Sequence, residues 1–377
     1  IDVMVFDTHT SEAFSGNPAG VVLDAAGLSG AQMQKIACEI GHSKTVFVEG
    51  RKGKVIEMRF FTPRVEVDFS GHAAVAALTA LAAAGDLDAA QEPERIDVSS
   101  RSGITRAEIV PHPVCGVEIS LLFEEPRFAP FGYSRDLLAG VLGASRYQMP
   151  DHWPLSMCQA GNWSLVVPHS TREAVDSARP DYEAMAQLNE KIGTAYVMLY
   201  TWQGPVDLYC RCFAPSLGVA EEAVSSSGLA AVAALVVKER ALQLNPPKTV
   251  MSAEQGAKQG RSTSVKIEVT HDEKSVEQVR IRGTAVKVLA GSLRLPANFT
   301  VTGLIDSLGC NLESTFAWRQ QGTEIAIRQG TGIAVDCDCD CVIIGGSSAN
   351  LDRLGQNAAV GGGSDRYYRH LGIFIDS

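Results

Sequence analysis

The sequence predicts an α+β protein of two lobes related by a pseudo-twofold axis, each a curved, mostly antiparallel sheet wrapped around one central helix. Three observations carry that expectation. Gly71–Leu78 reads GHAAVAAL and Gly228–Leu235 reads GLAAVAAL, differing only where His72 meets Leu229. Each copy follows a shared Arg-x-Phe-x-Pro turn, RFFTP at Arg59–Pro63 and RCFAP at Arg211–Pro215. Coordinated features of this kind mark a duplicated unit. Around them, short runs rich in β-branched and aromatic residues, bounded by Gly, Pro, Asn or Ser, read as strands.

In the first copy the strand runs are DVMVF, AGVVL, TVFV, VIEMRFF, RIDVS and GVEISLL. A helix is expected after Ser29, with Ser as its cap and Gly41 as its stop, and a longer one from Gly71 to Ala84 closed by Gly85. In the second copy the strand runs are SLVV, AYVMLY, VDLYCRCF, SVKIEV, QVRIR and VKVLAGSLRL. Helices are expected at Ser134–Leu142, Thr171–Ile192 and Glu221–Gln243. Ala230–Lys238, AAVAALVVK, is apolar nearly all round, so it belongs inside the concave side of a sheet. The chain therefore divides into lobes at 1–125 and 126–296, followed by an extra tail, 297–377.

With 377 residues, 45% apolar and 20% charged, there is material for large buried cores. A formal net charge of -10 disfavours non-specific binding to nucleic acid or to anionic membranes. No apolar run reaches the ~18 residues of a spanning helix, and the start IDVMVFDTHT has no signal-like pattern, so a cytoplasmic location is expected. The nine cysteines are odd in number and irregularly spaced, which favours free buried thiols in a reducing compartment. Small-molecule chemistry is the default class.

If the two long helices are equivalent, their starts, Ser70-Gly71-His72 and Ser226-Ser227-Gly228, face each other across a cleft. A helix start offers unpaired N–H groups and partial positive charge, so two of them seat a carboxylate. Groups on opposite walls can then remove and return a proton on a bound metabolite. The polar residues expected nearby are Asn17, Lys44, Asp68, Ser70, His72, Glu221, Glu222 and Ser225–Ser227. Each also has a structural reading. Asn17 precedes Pro18 as turn residues often do, Ser225–Ser227 include an ordinary N-cap, and Glu221 and Glu222 suit a helix start. His72 at a helix start is suited to act as a neutral acid, base or donor.

The stretches FSGNPAGVVLD, FFTPRVEVDFSGHAAVAAL and RCFAPSLGVAEEAVSSSGLAAVAAL resemble the signatures of the phenazine-biosynthesis isomerase-like family, the PhzF type, which has the diaminopimelate-epimerase-like fold. The likeness runs from Ile1 to about Pro296. That family carries Ser-Glu-Thr-x-Phe, Phe-Thr-Pro…Glu-Val-Asp-Leu-Cys-Gly-His-Ala and Glu-Asp-Pro-Val-Thr-Gly-Ser-Ala motifs. The resemblance implies a homodimer and cofactor-independent proton transfer, with an acid/base glutamate assisted by a histidine and an aspartate, and a serine that binds substrate. By position, His72 and Ser227 are kept, the aspartate falls on Glu222, and the glutamate falls on Lys44. Ser70 and Ala223 stand where many members have cysteine and proline. Epimerase relatives place a cysteine pair at the helix starts, where Ser70 and Ser225 stand here, so a two-thiol racemase is disfavoured.

Lys44 is the decisive departure. At neutral pH an ammonium holds its proton, so it serves as an acid or an electrostatic clamp, and acts as a base only if burial or nearby cations lower its pKa by several units. The expected activity is an isomerase or epimerase that moves a proton, with or without a double bond, on a small carboxylated metabolite. Glu222, His72 and Lys44 are the catalytic candidates. Asn17, Ser70, Gly71, Ser226, Ser227 and Gly228 are expected to bind substrate, with no metal site. Two alternatives remain: a non-catalytic binding homologue that lost its base, and a cyclase or lyase using Lys44. In the tail, CDCDC at Cys337–Cys341 lacks the usual C-x2-C zinc spacing. The sequon at Asn298–Thr300 is expected to be idle, and the Gly/Ser-rich composition reads as loosely packed chain or an accidental extension.

Overall fold

Helix boundaries follow the capping residues. In the computed structural model, α1 (Gly30–Ile40) begins with a capping box in which the Ser29 hydroxyl accepts from the Gln32 N–H and Gln32 reaches back to the Ser29 N–H at 2.8 Å. It stops at Gly41, left-handed at φ 72°. Next come α2 (Gly71–Ala84), closed by Gly85, and α3 (Arg135–Leu142). The single helix expected over Thr171–Ile192 is two, α4 (Arg172–Ser177) and α5 (Tyr182–Ile192). Pro180 disfavours helical backbone at Arg179, and Asp181 starts the second helix by accepting from the Glu183 and Ala184 N–H groups. The last helix, α6 (Ser226–Lys238), begins five residues later than the expected Glu221. Val219–Glu222 is a strand instead, because Glu222 pairs with Cys212 and the Ser225 hydroxyl caps the Gly228 N–H at 3.2 Å.

The described residues are 1–87, 93–202, 208–241 and 244–295, with 335–336 and 342–343. Strands β1 (Asp2–Thr8), β2 (Asn17–Val22), β3 (Lys44–Lys52), β4 (Val55–Phe61), β5 (Glu66–Val67) and β6 (Glu94–Ser100) come first. They are followed by β7 (Gly103–His112), β8 (Gly116–Glu124), β9 (Arg127–Ala129), β10 (Ser156–Ala160), β11 (Asn162–Pro168) and β12 (Tyr196–Thr201). The remainder are β13 (Leu208–Ala214), β14 (Val219–Glu222), β15 (Lys248–Gln255), β16 (Thr263–His271), β17 (Val276–Gly283) and β18 (Ala285–Ser292).

All eighteen join one continuous, mixed sheet, and the pairing order repeats. From β1 the neighbours run β1–β2, β2–β3 in parallel, β3–β4, β4–β6 in parallel, β6–β7 and β7–β8. From β10 they run β10–β11, β11–β12 in parallel, β12–β13, β13–β15 in parallel, β15–β16 and β16–β17, with the same polarities. The two series meet where β8 pairs antiparallel with β17. At the far ends, β18 pairs with β1 and β9 pairs with β10.

Helix α2 packs on β1, β2, β3, β8 and β18, and α6 on β10, β11, β12, β16 and β17. Gly71–Leu81 and Ser226–Val237 are buried without a break, as the all-round apolar pattern requires. In β11 and β12 alternate residues face two cores. Val166, Tyr196 and Met198 join the cluster around α6, while Leu165, Val167, Val197 and Leu199 pack under α3, α4 and α5. Both faces being covered explains why AYVMLY reads as a continuous apolar run.

Residues Ile1–Arg294 make one compact unit; Leu295–Ser377 is a second. Within the latter, Val335–Asp336 pairs antiparallel with Val342–Ile343. Cys337–Cys341, the Asn298–Thr300 sequon and the Gly/Ser-rich stretches lie outside the described residues. No helix among the described residues is long and apolar enough to cross a membrane.

Candidate functional site

The starts of α2 and α6 touch. A Cβ on Gly71 would lie 2.6 Å from Ser226 Cβ and 2.7 Å from its Oγ, so only glycine permits this approach. Around the contact, the strand ends deliver Asn17 at the start of β2, Lys44 at the start of β3 and Glu222 at the end of β14. Lys44 Nζ donates to Glu222 Oε1, and Asn17 Nδ2 donates to Glu222 Oε2 at 2.8 Å and to Val224 O at 2.8 Å. Lys44 is 0% exposed and Glu222 2%, so a fully buried ion pair joins residues 178 positions apart. Helix start α2 adds His72, whose Nδ1 lies 3.4 Å from Ser70 Oγ and whose buried Nε2 has no partner among the described residues.

Ser227 and Gly228 complete the buried start of α6. A Cβ on Gly228 would meet Met198 Sδ at 2.5 Å, while Ser227 Cβ is 3.2 Å from the Cβ position of Gly161. Ser225 is the N-cap, as one of the three serines is expected to be. The structure thus brings together Asn17, Lys44, Ser70, Gly71, His72, Glu222, Ser226, Ser227 and Gly228. It does not bring in Asp68 or Glu221. Asp68 is exposed and pairs with Arg101, and Glu221 makes a two-pronged ion pair with Arg211 at 2.9 Å per arm. Strand alternation explains the split: neighbouring Glu221 and Glu222 point to opposite faces of β14.

Burial works on every charge here. It pushes the Glu222 carboxyl upward, but the Lys44 ammonium, His72 and the Asn17 amide outweigh it and bring the pKa down to about 2. Glu222 is therefore ionised at neutral pH. Burial takes His72 down to about 3 against the pull of Glu222, and takes His9 down to about 4, so both imidazoles are neutral at pH 7. A cavity of about 430 Å³ beside Trp153, Trp202 and Arg240, past the end of α6, contains none of these residues.

Sequence reasoning missed several buried polar groups, Gln255 and His9 among them. Gln255, at the end of β15, donates from Nε2 to Glu222 O at 3.0 Å and accepts the Ser225 N–H at 3.3 Å, pinning both ends of the link into α6. His9, just after β1, reaches Ser226 Oγ at 2.9 Å. Neither lies in a repeated stretch. A lone histidine ending an apolar strand was the available signal for His9.

Known proteins resemble the chain over this same core. The family model described as "Phenazine biosynthesis-like protein" matches residues 6–291. An "Uncharacterized isomerase" of Deinococcus radiodurans is 32% identical over 274 residues, covering 72% of this chain and 87% of that protein. The Escherichia coli K12 "Uncharacterized isomerase YddE" is 31% identical over 283 residues, covering 74% and 94%. Among solved structures, a Bacillus anthracis phenazine biosynthesis protein of the PhzF family superposes with a TM-score of 0.69 at 27% identity, covering 78% of this chain and 99% of its own. A hydroxyproline epimerase from Agrobacterium vitis, at 11% identity and TM-score 0.55, shares the fold.

Proposed function

The chain belongs to the phenazine biosynthesis-like (PhzF) family, and from that premise we propose that it is an isomerase or epimerase. It moves a proton, with or without a double bond, on a small carboxylated metabolite held between the starts of α2 and α6. The recurring strand order supports two lobes, 1–125 and 126–296, with the site at their junction. The observation that carries the reading is the buried Lys44–Glu222–Asn17 cluster beside the neutral, unpartnered Nε2 of His72. Buried charges and orphaned polar atoms are costly, and they gather where chemistry uses them.

The ion pair suggests how a lysine fits a proton-transfer site. An arriving carboxylate pairs with Lys44 and displaces Glu222. Released from its cation, Glu222 is left to the effect of burial, which raises its proton affinity, so ligand binding arms the base. Glu222 then takes the proton from carbon and, now protonated, returns it, while the neutral His72 donates a hydrogen bond that steadies the developing anion. Asn17, Ser70, Gly71, Ser226, Ser227 and Gly228 hold the ligand, chiefly through the helix-start N–H groups.

One feature favours a second reading. Lys44 and Glu222 already satisfy each other inside the site, as they would in a non-catalytic homologue with a closed pocket. Nuclear magnetic resonance of candidate carboxylates incubated with the protein in deuterium oxide separates the two. Exchange at carbon, lost in His72→Ala and Glu222→Gln, supports the isomerase; binding without exchange supports the binding protein. Product formation without exchange, abolished by Lys44→Met, would indicate a cyclase or lyase instead.

A further inference from the structure

His9 is a buried histidine that the proton chemistry above leaves unused. Its φ is 58°, a left-handed conformation that is strained outside glycine. The surroundings are shaped to hold it. Its N–H donates to Thr284 O at 2.7 Å, its carbonyl accepts from Thr263 Oγ1, and a Cβ on Gly283 would lie 2.7 Å from its ring.

The hydrogen bonds fix its tautomer. Nδ1 lies 3.3 Å from the Arg282 carbonyl, which can only accept, so Nδ1 carries the proton. Nε2 is then the lone-pair nitrogen, 2.9 Å from Ser226 Oγ, and the Ser226 hydroxyl donates to it. The one proton of Ser226 is thereby committed, and what its oxygen can still offer is lone pairs. That oxygen lies against Gly71, 2.7 Å from where a Cβ on Gly71 would be, at the meeting of the two helix starts; the residue after Gly71 is His72, whose buried Nε2 has no partner among the described residues.

We propose that Ser226, oriented by His9, is a specificity-determining acceptor: it receives a hydroxyl or amino hydrogen of the ligand, so that the site selects carboxylates bearing a second, hydrogen-bond-donating group. This deepens the carboxylate-binding reading of the site and rests on it. A buried acceptor built to meet a donor rejects the analogue lacking it, because binding that analogue excludes water and leaves the acceptor unpaired. His9 acts through Ser226 and is a positioning residue.

Isothermal titration of the full chain with propionate, 2-hydroxypropionate and 3-hydroxypropionate tests this, since the three acids share charge and skeleton and differ in the hydroxyl. At least one hydroxy acid is expected to bind ~10-fold or more tightly than propionate. That ratio should fall to within ~2-fold in Ser226→Ala, which removes a single oxygen, and shrink in His9→Phe, which fills the ring space without an acceptor. The ratio is the readout because general damage to the site weakens all three acids together. Equal binding of the three acids, or a preference that survives in Ser226→Ala, overturns the proposal while leaving carboxylate binding intact. Failure of all three to bind overturns both.

Discussion

Lys44→Met, at nearly constant side-chain volume, leaves the Glu222 carboxylate buried without its cation. The cost can be estimated in two ways. A fall in the Glu222 pKa from 4.5 to about 2 corresponds to ~3 kcal/mol of preference for the ionised form, at ~1.4 kcal/mol per tenfold. Breaking a buried pair by removing one partner typically costs ~3–5 kcal/mol. Both point to a loss of ~3–5 kcal/mol at pH 7, and Glu222→Gln, which strands the ammonium instead, should lose a similar amount. The double variant removes both charges, so it should recover to within ~1–2 kcal/mol of the parent, giving a coupling of ~3 kcal/mol or more. Urea unfolding of the four proteins, followed by tryptophan fluorescence and circular dichroism, measures this. A Lys44→Met loss below ~1 kcal/mol, or single losses that simply add in the double variant, would show that the ion pair does not hold the site together.

Acid should unfold the protein earlier than carboxylates alone require. His9, His72 and His169 are held neutral in the fold, with pKa values lowered to about 4, 3 and 4, so below the ordinary histidine value of 6.5 the unfolded chain binds more protons. Stability is then expected to drop by up to ~4 kcal/mol per pH unit between about pH 6 and 4. The Glu222 contribution has the opposite kind of origin, present above 4.5 and lost as pH falls toward 2. Unfolding free energies that stay flat from pH 7 to 5 would refute the buried neutral imidazoles. Gly71→Ala places a methyl 2.6 Å from Ser226 Cβ, so a loss of ~1–3 kcal/mol and a weakened site are expected by thermal melting and ligand titration. Removal of Ala297–Ser377 should leave the urea midpoint of the core unchanged, because the family match ends at residue 291; a collapsed core would contradict that.

The sequence exposed the parts of the fold that repeat or are capped. GHAAVAAL and GLAAVAAL became α2 and α6, buried along nearly their whole lengths, and Ser29 with Gly41 bounded α1 as expected. It did not expose β7 or β15, whose outward faces carry Arg106, Glu108, Ser252 and Glu254 between buried residues, because half-exposed alternation resembles surface loop. The break at Pro180 was visible but overridden by helical composition on both sides. In the site, the residues tied to a motif converge, and the exceptions have geometric causes. Glu221 and Glu222 look equivalent until a strand sends them to opposite faces. His9 belongs to no motif, and its partner Ser226 is 217 residues away, a pairing that only the strand order creates.

The most direct measurement is solvent-deuterium incorporation into a panel of small carboxylates, read by nuclear magnetic resonance with the unaltered protein and with His72→Ala and Glu222→Gln. Proton transfer between the two helix starts predicts deuterium at one carbon of at least one acid, lost in both variants. Carboxylates that bind saturably yet take up no deuterium, or exchange that persists when both His72 and Glu222 are replaced, would contradict it.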